Sequence, residues 1–400
     1  MTYELTVVYG STDGTIANGT EISGYTLNAI SLQHGRQSID DVARPSAGQF
    51  TLLWNQSGAP SLATFVIGLR WQVFATIDGH PTDPQCLFDG AITDVIAGRD
   101  YVSITAITRP LAEIGRQTIA NPSLIEATSS SAFTTLYNLG DQDDRLGSVS
   151  GTTAVRVPTF ENQNLLQVLT EVAASEIGGY VTQTMPWGPT AVSTTYGPEV
   201  ITSNVTSRSQ LTPDITFTAG EIIDQWNLAR RVEDLINRVT VIGTEDGTDF
   251  PDGIWTETYQ PGVDTYGLAE RQIATRIRYE NDAEGLAEDK LQRYYVNGWV
   301  LEQLTIPLHT MTAARLWTVI QNLGPDQLIQ IPALFTNAPT RFFIEGITFR
   351  LSSTTWDAVL WISTSGFSRG AQKWEQVTPT LTWSSVDATT TWADLRLIEL

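Results

Sequence analysis

From Tyr3 to about Pro110, polar and apolar residues alternate in short runs, and the period of two predicts strand after strand. One run, Arg70-Trp71-Gln72-Val73-Phe74-Ala75-Thr76-Ile77, reaches the turn pair Asp78-Gly79. Two more follow, Cys86-Leu87-Phe88-Asp89-Gly90-Ala91-Ile92 and Tyr101-Val102-Ser103-Ile104-Thr105-Ala106-Ile107, separated by Gly98-Arg99-Asp100. β-Branched residues bounded by turn formers suit half-buried strands, so residues 1–110 read as a first β-barrel or sandwich domain.

Residues 111–220 break this rhythm. Leu165, Val168, Leu169 and Val172 recur at three and four residues, and Gly178-Gly179 supplies a stop, which predicts one amphipathic helix in an inserted α+β domain. Strands resume around Trp226–Val232 and Asn237–Gly243, and residues 221–370 read as a second β-barrel domain. It carries a helical insertion at about 282–298, signalled by Leu286, Leu291 and Tyr294 and closed by Asn297-Gly298. Residues 371–400 form a C-terminal arm bearing Trp374, Trp383 and Trp392. The fold class that follows is mainly β with a few helices, a β-dominated α+β chain of two barrels with inserted α+β segments.

The chain also echoes itself. Gly324 stands 256 residues after Gly68, as do Gly346 after Gly90 and Thr364 after Thr108, which places Glu345 on Asp89 and Ile344 on Phe88. A true duplication would give each chain two similar barrels, and a three-fold ring of chains would then present six similar units.

Charge narrows the partners. Against 44 acids stand 23 bases, a net charge of −21, and such a surface repels phosphate and anionic lipid. No apolar run approaches the ~20 residues a membrane helix needs. The alternating start, Tyr3 to Tyr9, reads as a strand and not a signal peptide. The single cysteine, Cys86, sits beside Leu87 and Phe88 as a small hydrophobe and forms no internal disulfide.

Catalytic chemistry is not signalled. His34, His80 and His309 are scattered, without the spacing a zinc site needs, and no nucleophile elbow, zincin motif or phosphate-binding loop occurs. No catalytic residue, metal ligand or cofactor is expected. The turn Glu245 to Gly253 lacks the alternate-residue acids of a calcium loop. Most tryptophans sit inside strand patterns, but Trp383 and Trp392 occupy a repeated phrase, Thr-Trp-Ser and Thr-Trp-Ala, and are the candidate contacts to a neighbouring subunit or partner.

Arg44-Pro45-Ser46-Ala47-Gly48-Gln49-Phe50-Thr51-Leu52, Leu87-Phe88-Asp89-Gly90-Ala91-Ile92, Asn237-Arg238-Val239-Thr240-Val241 and Phe342-Phe343-Ile344-Glu345-Gly346 occur in an order that resembles the tail hub or minor tail proteins of long, non-contractile-tailed bacteriophages, the actinobacteriophage type in particular. Leu53-Trp54 departs from the smaller apolar-Asp pair usual there. The resemblance implies a non-enzymatic virion protein made in the host cytoplasm, with two tail-tube-like β-barrels per chain. Three chains would form a homotrimeric ring that closes the distal tail tube, adapts six-fold to three-fold symmetry and conducts DNA without binding it specifically. The partners implied are the distal tail ring protein, the C-terminus of the tape-measure protein, and central or side tail fibres. On this reading carboxylates outnumber arginines on the channel face, and arginines gather at subunit contacts. The competing readings are a receptor- or glycan-binding tail protein and a tail-associated cell-wall hydrolase.

Overall fold

The computed structural model describes residues 3–11, 18–25, 30–37, 44–54, 57–80, 84–140, 146–147, 149–183, 200–203, 212–222, 227–229, 235–245, 248–294, 300–325, 327–333, 340–352 and 354–364. Strands β1 (Tyr3–Tyr9), β2 (Thr20–Glu21), β3 (Ile30–Gly35), β4 (Ala47–Leu53), β5 (Arg70–Ile77), β6 (Gln85–Ala97) and β7 (Tyr101–Ile107) form a first β unit. Alternation does what it predicts: in β7 Val102, Ile104 and Ala106 are buried while Tyr101 is exposed. The β5–β6 hairpin turns on Gly79, whose φ of +88° suits a residue without a side chain.

An α+β segment follows, made of α1 (Arg109–Ile114), β8 (Thr118–Asn121), β9 (Ile125–Thr128), α2 (Ser129–Leu139), β10 (Ala154–Val157), β11 (Phe160–Asn164), α3 (Leu165–Ala173), β12 (Tyr180–Gln183) and β13 (Val200–Ser203). It has its own core, to which α3 contributes the four apolar residues of its periodic face. Asn164 caps α3 by accepting from the Gln167 amide at 3.0 Å. The helix predicted from the recurrence at Leu165 begins at that residue, since Phe160, Gln163 and Asn164 just before it pair with β8. One departure from the sequence reading occurs here. A further helix, α2, fills the polar stretch at Thr128–Ser131. Its serines and threonines have low helix propensity, but Ala132, Phe133, Leu136 and Tyr137 form a buried stripe and packing overrides propensity.

The second β unit contains β14 (Ile215–Thr216) and β15 (Asn227–Ala229). Interposed next are β16 (Arg238–Ile242), β17 (Ile254–Thr258), α4 (Gln260–Tyr266), β18 (Glu270–Ala274) and α5 (Glu280–Tyr294), again around a separate core. The insertion is thus larger than the helix expected at 282–298, since a three-stranded sheet precedes that helix. The unit then resumes with β19 (Val300–Pro307), α6 (Ala313–Asn322), β20 (Leu328–Gln330), β21 (Arg341–Leu351) and β22 (Trp356–Thr364).

The two units share one 13-stranded sheet, ordered β15-β19-β22-β21-β3-β4-β7-β6-β5-β1-β2, with β20 on β21 and β14 on β20. The series β15-β19-β22-β21-β20 repeats the series β3-β4-β7-β6-β5, with corresponding strands following one another in the same chain order and all antiparallel. The internal echo therefore has a structural counterpart. Its two glycines are both crowded, though from different sides: a Cβ on Gly90 would lie 2.6 Å from the Ile107 oxygen at the end of β7, and one on Gly346 would lie 2.2 Å from the Arg36 oxygen just after β3. The match of Thr364 with Thr108 is out of register, because Ala91 pairs with Ile107 whereas Ile347 pairs with Leu360, a shorter hairpin.

One core runs through both units. Trp71 and Trp356 are its largest members, and Tyr3 of the first unit packs edge-on against Trp356 of the second at 4.8 Å. His34 lies in this core at the junction, its ring 6.3 Å from Phe88 and 6.0 Å from Phe349. Burial lowers its pKa from 6.5 to about 3, against a smaller opposing effect from the Leu87 backbone. The unfolded chain therefore binds a proton that the folded chain does not, and stability contributed by neutral His34 is lost as pH falls from 6.5 toward 3. We expect His34→Leu to flatten the urea-midpoint profile in that window, relative to the parent, by on the order of 4 kcal/mol at its acid end. Parallel profiles for the two proteins would refute it.

Candidate functional site: the seam and the polar face it extends

The two units meet where β21 lies beside β3, with Gly346 opposite Gly35 and Leu351 opposite Ile30. The backbones come close here. Gly35 has φ +73°, and a Cβ on it would sit 2.5 Å from the Glu345 oxygen. Only glycine fits at either position.

Beside this contact Arg36 and Glu345 form a buried ion pair, their side chains 4% and 1% exposed. The Arg36 Nε and Nη2 donate to Glu345 Oε2 at 2.9 and 2.7 Å, the Arg36 amide donates to the Glu345 carbonyl at 3.0 Å, and Ser363 Oγ donates to Oε1. The guanidinium also lies 3.6 Å from the ring centroid of Tyr180, on β12 of the first inserted segment. That segment is tied in again by Gln183, whose Nε2 donates to Ser46 Oγ at 2.8 Å and to Thr108 Oγ1. One arginine thus touches three parts of the chain.

Asp89, the echo of Glu345, is paired as well, accepting from Arg70 Nε at 2.9 Å and from Arg70 Nη2. Each unit places an acid just before its close-approach glycine and neutralises it with an arginine on or just after the adjoining strand. Other arginines also pair within the chain, Arg276 with Glu171 at 2.6 Å and Arg315 with Glu221 at 2.6 Å. These arginines are neutralised by carboxylates of the same chain.

Joining the units makes a surface neither has alone. Across β22, β21, β3, β4, β7 and β6, the residues Asp357, Arg350, Ser31, Gln49, Thr105 and Asp94 stand opposite one another in a single row. Their strand neighbours Phe349, Leu32, Phe50 and Ile104 are buried in the core, so the row lies on the other face. A parallel row holds Thr305, Val359, Thr348, Gln33 and Ala47. Along the first row two carboxylates face one guanidinium, and hydroxyls and amides fill the rest. The face is nearly neutral, less acidic than the net charge suggested.

Nothing in this arrangement resembles a catalytic centre. Among the described residues no group of three or more His, Cys, Asp or Glu is placed to hold a metal. His80 stacks on Trp317 with ring centroids 3.8 Å apart, and His309 Nδ1 lies 3.2 Å from Asp357. A depression of about 450 Å³ lined by Thr216, Thr218, Glu221, Met311 and Arg315 is spanned by the Arg315–Glu221 pair. There burial favours the protonated Glu221, but the hydrogen bonds from Arg315 and Thr218 outweigh it and the carboxyl pKa is lowered. No described helix is long and apolar enough to cross a membrane. Trp383 and Trp392 lie outside the described residues. Neither the Arg36–Glu345 pair nor the polar row was foreseen; the one available signal was that Glu345 echoes Asp89.

No family model and no curated protein matches the chain. Among solved structures it is similar to the tail protein from Neisseria meningitidis MC58, with a TM-score of 0.58 at 13% identity over 92% of this chain and 98% of that one. It is also similar to the prophage MuSo2 43 kDa tail protein from Shewanella oneidensis, with a TM-score of 0.58 at 11% identity over 91% and 99%. The likeness defines the fold: a mainly β chain of the architecture found in these tail proteins.

Removing one partner of the seam pair strands a buried charge. Arg36→Met is expected to lower stability by about 3–5 kcal/mol in urea unfolding, while Arg36→Met with Glu345→Leu recovers most of that loss. A single variant within about 1 kcal/mol of the parent would show that the pair does not hold the seam.

Proposed function

We propose that this chain is a structural protein of a phage tail, a subunit of the hub ring that closes the distal end of the tail tube. The observation that carries the reading is the fusion of two β units of like strand order through β21 and β3, which continues one polar face across both. Near-complete mutual coverage with two tail proteins supports it. Two like units per chain make a trimer the assembly that offers a six-fold tube six similar units and a three-fold object three chains. The distal tail ring, the end of the tape-measure protein and the tail fibres are the neighbours such a position brings. The arm with Trp383 and Trp392 serves contacts between subunits or to these partners. The role requires no catalysis, and the described residues offer no nucleophile–base pair on the polar face.

We assign the polar face to the wall of the channel through which DNA leaves. Hydroxyls and amides offer no fixed cations to phosphate, and the one guanidinium of the row, Arg350, stands opposite Asp357, so passing DNA gains little counterion-release affinity and is not trapped. Isolated acids repel it only within about a Debye length, ~8 Å at physiological ionic strength.

Two measurements test the proposal. Native mass spectrometry of the purified chain is expected to give a trimer, and a six-chain ring or a monomer at every concentration would overturn that stoichiometry. Phage particles carrying Ser31→Lys, Gln49→Lys and Thr105→Lys together are expected to assemble normally but eject DNA slowly, with the defect relieved by salt. Ejection equal to that of the parent at low salt would remove this face from the channel wall.

A further inference from the structure

The first inserted segment follows β7 and the second lies between β15 and β19, yet the two are bound to each other. Val155 of β10 bridges to Ile277, the Arg156 amide donates to the Arg276 carbonyl at 2.8 Å, and the Arg278 amide donates to the Ala154 carbonyl at 3.1 Å. Thr244 Oγ1 donates to the Arg156 carbonyl at 2.8 Å, and the Arg276 amide donates to Ser175 Oγ at 2.9 Å. The core of the second segment takes in Ile177 of the first and, among the described residues, none of the shared sheet. The second segment is therefore seated on the first.

Charge at this contact does not balance. The arginines are Arg156, Arg276 and Arg278, and the carboxylates are Glu126, Glu171, Glu176, Asp249 and Asp282. Arg276 pairs with Glu171 at 2.6 Å, Arg278 with Asp249 at 3.4 Å and with Glu126 at 3.5 Å, and Arg156 with Glu126 at 3.5 Å. Glu176 and Asp282 are left over. Glu176, 7% exposed, follows Ser175 and accepts from two neutral donors, Ser129 Oγ and the Thr153 amide at 2.7 Å. Asp282 stands in the first turn of α5, and among the described residues no cation pairs with it. The cationic side is incomplete as well, because the Nε atoms of Arg276 and Arg278 are buried without an acceptor among the described residues.

Burial first, and the Glu176 charge second, raise the Asp282 carboxyl pKa above its ordinary 3.8. A group whose pKa rises on folding adds stability below its unfolded value and loses it as pH climbs through the raised one. The contact is thus weaker near neutrality than in mild acid. Acid strong enough to protonate Glu126 and Glu171 acts the other way, by removing the ion pairs.

We propose that this contact is a clasp under electrostatic tension, loosened near neutral pH by the facing carboxylates Glu176 and Asp282 and seated when they share a proton, so that the second inserted segment turns on the first while the β21–β3 seam stays shut. The device is independent of the ring proposed above.

The test is hydrogen exchange on the full chain, read amide by amide as protection over the intrinsic rate, between about pH 5.5 and 7.5. The Arg156 and Arg278 amides cross the clasp; the Ala174 amide, bonded to Thr170, the Gly243 amide, bonded to Gly253, and the Arg36 amide, bonded to Glu345, report the first segment, the second segment and the seam. Protection of the crossing amides is expected to fall as pH rises while the other three hold theirs. Asp282→Asn should raise it about fivefold near neutral pH and flatten the profile, as loss of one repulsive pair implies. Glu176→Gln should do the same, and the two together should gain nothing more. Glu280→Gln, at an exposed acid of the same helical turn, should change nothing. A purely structural role for Asp282, as an acid favoured at the start of α5, predicts the opposite sign. If Glu176→Gln disturbs the Ser129 and Thr153 bonds, the Asp282→Asn result decides alone. Crossing amides whose protection ignores pH, or that lose protection in Asp282→Asn, overturn the clasp, and so does a gain shared equally by the Arg36 amide.

Discussion

The structure depends on bringing two sheet edges together at Gly35 and Gly346, where the backbones approach too closely for any side chain, and on holding that register with Arg36 and Glu345. Backbone pairing alone specifies register weakly, since a shift of one residue keeps the bonds but turns every side chain to the wrong face. A buried ion pair makes such a shift costly, because either partner displaced is a charge without compensation. Ser363 and Tyr180 complete the environment, so the pair fixes the second unit and the first inserted segment on the first unit together.

Local features were legible along the chain because their causes are local. The strands of the first unit follow from alternation, α3 from its apolar face, and the strand-order echo from two glycines and two acids 256 residues apart. The seam was not legible. Its key partners are 309 positions apart, and a lone Arg36 after Gly35 carries no pattern. Of the three-stranded sheet of the second insertion only β16 was expected, as the strand around Asn237–Gly243, and β17 and β18 were missed for a related reason. Trp255 and Ile273 pack on one side while Thr256 and Gln272 face out, but the strands are only five residues long and were overshadowed by the helix that covers them.

The polar face shows most clearly why position in a fold carries information that composition lacks. Ser31, Gln49, Thr105 and Thr348 belong to separate strands and look, one at a time, like the ordinary outward residues of half-buried strands. Only the register across six strands reveals a continuous polar surface whose charges nearly balance. The net −21 is carried elsewhere in part, for example on α5, whose Glu280, Asp282, Glu284, Glu288 and Asp289 lie outside the shared sheet. Asp282 there has its pKa raised by burial and by nearby Glu176, a repulsion between the two inserted segments.

That separation of charge has a consequence for a wall that must let a polyanion pass. A strongly acidic channel would raise the electrostatic barrier to entry, and a basic one would bind the strand with an affinity that grows as salt falls. A surface of hydroxyls and amides avoids both, because each group exchanges hydrogen bonds with water or phosphate at little net cost. The arginines that might have spoiled it are withdrawn into internal pairs, as Arg36 and Arg70 are, and the one that remains in the row, Arg350, stands between Asp357 and Ser31. The same pairs that fix the fold thereby keep Arg36 and Arg70 from adding to the single guanidinium on the face on which the proposed function depends.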